Sequence, residues 1–111
     1  MSRPAFMTLD FKALQENLSV VRTLAPNSAV LAMVKANAYG HGAAHIAKAL
    51  SSVDAFGVAS LEEGLQLRKA GVAQPIVLVE GVFYPDELPL VSEHQFTLVV
   101  HHEKQIQFHC L

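Results

Sequence analysis

A chain of 111 residues has room for one modest domain, and a composition 51% hydrophobic and 16% charged sets it apart from disordered chains. Eight basic residues stand against ten acidic ones, a formal charge of −2, so there is no basic field to hold nucleic acid or an anionic membrane surface. The one cysteine, Cys110, excludes an internal disulfide framework and suits a reducing, cytoplasmic compartment.

The N-terminal residues show no signal-peptide pattern, and the longest apolar runs fall well short of the ~20 residues of a membrane span. In chain order, "PAFMTLD" reads as a short strand. Asp10 is a candidate N-cap for a helix whose apolar face is Leu14, Leu18, Val21 and Ala25, stopped by Pro26. "SAVLAMV" is a continuous apolar strand, and "HGAAHIAKAL" an Ala-rich helix.

"DAFGVA" is the next strand. The segment "SLEEGLQLRKAG" follows as a helix, with Ser60 and Glu63 in capping-box spacing and Gly71 placed for a left-handed C-cap. "QPIVLVE" is again a strand, "YPDELPLVSEH" a short proline-interrupted helix and "FTLVV" a further strand. "HHEKQIQFHCL" begins as a helix and fits one poorly after Ile106. Strands apolar on both faces, alternating with helices, signal parallel pairing covered by helices. The expectation is an α/β fold: about the first four strand-helix units of a (β/α)8, TIM-type barrel, with parallel strands.

In such folds chemistry gathers where strands hand the chain to the following loops. Lys35 sits at that point, just after "SAVLAMV". One reading is a solvated lysine at a strand end. The other is a Schiff-base lysine, which must be unprotonated to attack a carbonyl; an apolar floor of Val34 and Met33 would depress its pKa. The turn that follows, with Asn37, Tyr39, Gly40 and Gly42, offers a phenol donor and pliant backbone suited to a phosphate.

The nine residues "VKANAYGHG", Val34 to Gly42, resemble the cofactor-lysine motif of the alanine racemases residue for residue. "LAPNSAVLAMVKANAYGHG", "DAFGVASLEEGLQLRKAG" and "PIVLVEG" are similar to the same family in the same order, from about Met7 to His102. The resemblance implies that residues 1–111 form the N-terminal fragment of a barrel domain that binds pyridoxal 5′-phosphate. Lys35 would carry the cofactor and act as the base on one face of alanine, interconverting the L and D forms. Tyr39 would donate to the cofactor phosphate, and Val79 would pack near the pyridine ring.

The family also implies a homodimer, a second base (a downstream tyrosine acting from the partner subunit) and a product destined for peptidoglycan. A family member is several times longer than 111 residues, so the expectation for the isolated chain is a truncated, inactive fragment. The alternatives are a non-catalytic pyridoxal-phosphate homeostasis barrel, which lacks "NAYGHG", and a truncated product without function.

Other residues carry weaker signals. His41 and His45 share helical spacing and His101, His102 and Glu103 are contiguous, but neither group has the ligand number of a zinc site, and no metal is expected. Asp86, Glu87, Glu62 and Glu63 fit the first turns of helices, where acidic side chains favour the dipole. Cys110 reads as an incidental thiol.

Overall fold

The computed structural model describes residues 4–109. Helix α1 spans Phe11–Leu24 and starts where the sequence places it: the Ala13 N–H donates to the Asp10 carboxylate at 3.0 Å. It ends two residues before Pro26. Leu14 and Leu18 rest against the core, but Val21, expected on the same face, is 46% exposed. The neighbouring Arg22 turns inward instead and reaches Asp54 at 3.5 Å.

Four strands follow: β1 (Leu31–Met33), β2 (Ala55–Val58), β3 (Ile76–Leu78) and β4 (Phe96–Leu98). They form one parallel sheet in sequential order, with Ala32, Phe56, Ile76 and Phe96 in register. This is the α/β architecture expected, four strands of the kind that an eight-stranded barrel closes. The expected strand "PAFMTLD" is absent: residues 4–10 join no sheet, and Phe6 is 91% exposed. An apolar, β-prone run becomes a strand only where an edge offers it hydrogen bonds, and Pro4 has no N–H to offer in return.

The connections are helical. A single turn, α2 (Lys35–Tyr39), leads into α3 (Ala43–Ala49) after β1, and α4 (Leu61–Lys69) follows β2. After β3 comes a 3-10 turn at Pro85–Glu87 running into α5 (Leu88–Glu93), as the prolines suggest. Helix α6 spans Glu103–His109, three residues past the point where the sequence reads poorly as helix. Phe108 explains the extension by packing on the core. Cys110 lies outside the described residues.

The sheet buries one face more deeply than the other. Phe56, Val58, Ile76 and Leu78 are fully buried beneath the helices with Val34, Leu67 and Val82. Gly64 lets α4 approach: a Cβ there would lie 3.0 Å from the Phe96 ring and 3.1 Å from Leu78. The opposite face is barer, with Leu31 and Met33 nearly half exposed. A molecule 49 × 48 × 24 Å with a radius of gyration of 16.1 Å results, larger than the ~13 Å of a compact domain near this size.

Polar side chains stitch the units together at both rims. At the entry rim, Arg68 donates to the carbonyls of Val72, Gln74 and His94 and lies over the Phe96 ring; burial pushes its pKa below the usual value. Asp54 accepts from the Val30 N–H at 2.7 Å, and this bond, with Arg22 beside it, holds its carboxyl below the ordinary 3.8. A carboxyl depressed by folding stabilises the fold above its unfolded value and loses that contribution as pH falls through its folded value. Asp54→Asn is therefore expected to lower stability near neutral pH, with the gap from the unaltered chain closing below 3.8 in urea titrations; a gap that persists or widens in acid would contradict this account of Asp54.

Candidate active site at the strand ends

Strand β1 makes its last regular step at Val34, whose N–H donates to Gly57 O at 2.9 Å. The Val34 side chain faces Val58, Ala43 and Leu67 in the helical layer, so it does not floor Lys35 as the sequence suggests. On the other face, Leu31 and Met33 lean over Gly57. Lys35 follows, half-buried, at the exit rim of the sheet.

From there the backbone reverses its hand. Ala36, Asn37, Ala38 and Tyr39 have φ of 52, 54, 53 and 52°, four consecutive left-handed residues without a glycine. Each costs roughly 1–2 kcal/mol, and L-residues normally visit this region singly. Internal bonds hold the turn closed. Ala38 N–H donates to Val34 O (3.0 Å), the Gly40 and Gly42 N–H groups to Asn37 O (3.1 and 3.0 Å), and His41 N–H to Ala38 O (3.1 Å). The Asn37 side chain accepts from Ala43 N–H at 2.9 Å, and the His41 ring meets Ala38 O at 2.8 Å. Asn is the ordinary residue most tolerant of this conformation, and Gly40 and Gly42, both at φ 90°, complete the exit.

One further tie crosses to the next unit. The Ala36 N–H donates to Glu63 Oε2 at 2.6 Å, while Glu63 Oε1 accepts from Ala59 (2.7 Å) and Ser60 (3.3 Å). Ser60 and Glu63 do form the expected capping box. The contact to Ala36 is beyond the reach of spacing arguments, because i, i+3 already accounts for Glu63 fully.

Lys35 and Tyr39 are thus the two ends of one strained turn. Tyr39 is 72% exposed and, with Met33, Ala38 and His41, borders a groove of about 290 Å3 closed by Leu14, Ile46 and Leu50. Val79 is brought to the same rim but not to this groove: it sits just past β3, its N–H bonded to Val58 O, with β2 between it and Lys35. Among the described residues no hydrogen bond or ion pair engages the Lys35 side-chain nitrogen or the Tyr39 hydroxyl, so both groups stand open. Two exposed aromatics that the sequence reading passed over, Phe83 and Tyr84, border a second concavity of about 450 Å3 with Ser60, Leu61, Glu62 and Glu87.

Sequential parallel strands backed by helices are the architecture of a β/α-barrel-type protein, a fold in which chemistry gathers at the rim where Lys35 lies. Residues 9–109 match the family model described as "Alanine racemase, N-terminal domain", and the chain belongs to that family. It is 51% identical over 98 residues to an alanine racemase of Vibrio parahaemolyticus, covering 88% of this chain and 27% of that protein. With one of Legionella pneumophila it shares 48% over 109 residues, 97% of this chain and 30% of the other. The alanine racemase structure from Acinetobacter baumannii superposes with a TM-score of 0.87 at 52% identity, over 89% of this chain and 29% of that one. The chain therefore spans less than a third of the length of these relatives.

The strain is testable at Ala36, which is exposed. Glycine relieves the left-handed penalty but costs some chain entropy, so Ala36→Gly is expected to stabilise by about 0.5–1 kcal/mol and the β-branched Ala36→Val to destabilise by more than about 1 kcal/mol. Equilibrium urea unfolding measures both; a destabilising glycine, the outcome in an ordinary right-handed helix, would contradict the left-handed turn.

Proposed function

We propose that residues 1–111 are the N-terminal portion of the barrel domain of an alanine racemase, and that Lys35 is the amine that binds its pyridoxal 5′-phosphate. The observation that carries the reading is the position of Lys35 at the exit of β1, followed at once by the rigid left-handed turn of "VKANAYGHG". The residues present suit the cofactor. An amine without an ionic partner is available to an aldehyde, a phenol on the same turn can donate to a phosphate, and Met33 and Val79 give apolar surface at the rim for an aromatic ring.

When bound, pyridoxal 5′-phosphate acts as an electron sink that makes the α-proton of an amino acid removable. The chain's own part is to hold, orient and shuttle a proton. Tyr39 would fix the phosphate end and Val79 one face of the ring. Lys35 would take the proton from, or return it to, one face of the alanine Cα. Racemisation needs a second base on the opposite face, which in this family's pattern comes from the partner subunit of a homodimer. Alanine as substrate and the cytoplasm as location follow the same reading. No helix among the described residues is long and apolar enough to cross a membrane.

A chimaera tests the reading. This chain replaces the corresponding segment of the Vibrio parahaemolyticus racemase, to which it is 51% identical. The hybrid is expected to interconvert L- and D-alanine, and Lys35→Ala in it to lower kcat by at least about 100-fold, the low end for loss of a general base. A folded hybrid with no turnover, or one indifferent to Lys35→Ala, would overturn the assignment.

A further inference from the structure

We infer that Glu63 is a positioning residue for Lys35: its carboxylate, seated at the start of α4, fixes the backbone on the far side of the lysine. The inference rests on Lys35 being the cofactor amine proposed above.

The lysine lies between two amides whose bonds leave the turn. Ahead of it, Val34 N–H donates to Gly57 O; behind it, Ala36 N–H donates to Glu63 Oε2 at 2.6 Å. The N–H groups of Ala38, Gly40, His41, Gly42 and Ala43 all donate within residues 34–43, and the Gly42 carbonyl accepts from Ile46 to start α3. The turn is thus a small body rigid in itself, and these two bonds set its attitude to the sheet. One is a neutral ladder bond; the other is charge-assisted and the stronger kind.

A capping box uses only the Ser60 amide and hydroxyl. The Glu63 carboxylate does more, accepting from Ala36 and Ala59 as well, one oxygen toward α2 and the other toward its own helix cap. Four left-handed residues persist only where surroundings over-determine them. With the Glu63 bond gone, the segment after Lys35 is free to relax toward right-handed geometry, and the Cα–Cβ direction that aims the amine goes with it. Nζ rides on four methylenes, so its reach to a bound aldehyde depends on that direction.

Glu63→Gln keeps the size of the side chain but offers one acceptor oxygen in place of two, leaving an NH2 against a backbone N–H. Ser60→Ala is the control, removing the capping hydroxyl while sparing the bond to Ala36. Two readouts apply to the 111-residue chain: amide exchange at Ala36 without cofactor, and the dissociation constant for pyridoxal 5′-phosphate from the absorbance of its lysine adduct.

Glu63→Gln is expected to speed Ala36 exchange and weaken cofactor binding by about tenfold or more each, with Ser60→Ala within about twofold on both. Glu63→Asp, which keeps two oxygens, should recover part of the loss. Equal cofactor affinity in folded Glu63→Gln and unaltered chains overturns the inference and leaves the Lys35 reading intact. Absence of adduct on the unaltered chain overturns the Lys35 reading itself. Should Glu63→Gln not fold, the unaltered chain decides: the Ala36 amide proton and the Glu63 carboxyl carbon titrating with one midpoint supports the bond, and unrelated midpoints overturn it.

Discussion

The hydrogen bond from Val34 to Gly57 is the last step that β1 takes as a strand, and the next residue is the lysine. Beyond it the chain turns with the hand that L-residues avoid, for four residues in succession. A strand that simply continued would carry Lys35 away from its neighbours, and a right-handed helix would give its side chain a different direction. The reversal stops the strand abruptly at the sheet's exit rim and leaves the lysine at the corner. Asn37, through its carbonyl and side chain together, makes half of the closing bonds.

That corner is firm because the sheet beneath it is firm on one side. Phe56, Val58, Ile76 and Leu78 are wholly buried against the helices, and Gly64 removes the side chain that would hold α4 away. The rims are joined by polar groups rather than by bulk. Glu63 bridges the exits of β1 and β2, and Gln105 does the same for β3 and β4, accepting from the His101 and His102 amides and donating to Glu80 and Val82 carbonyls. Gln105 is the buried polar side chain of the described core, and all its hydrogen-bonding groups are matched. Rigid loops at the exit rim suit a fold in which chemistry is done by loop residues on an unyielding frame.

Much of this was legible in the residues. The four sheet strands are runs apolar on both faces, a pattern that parallel sheets impose, and the caps at Asp10 and Ser60 advertise their helices. "PAFMTLD" misled because pattern reports what a segment prefers and not whether an edge awaits it. The tail beyond Ile106 misled the other way, since Phe108 finds core to cover. The left-handed turn had one partial signal, an Asn before two glycines, but Ala-Asn-Ala-Tyr carries no mark of its handedness. Glu63 illustrates a deeper limit: a residue already explained by its local motif gives no hint of a second partner 27 residues away.

The account turns on whether the corner at residue 35 presents its amine to an aldehyde better than an ordinary lysine does. The chain has five lysines, Lys12, Lys35, Lys48, Lys69 and Lys104, which serve as internal competitors. Incubating it with stoichiometric pyridoxal 5′-phosphate, reducing with borohydride and mapping the peptides measures this directly. The tag is expected on Lys35 well above the other four; an even spread among the five, or a tag that avoids Lys35, would contradict the central claim.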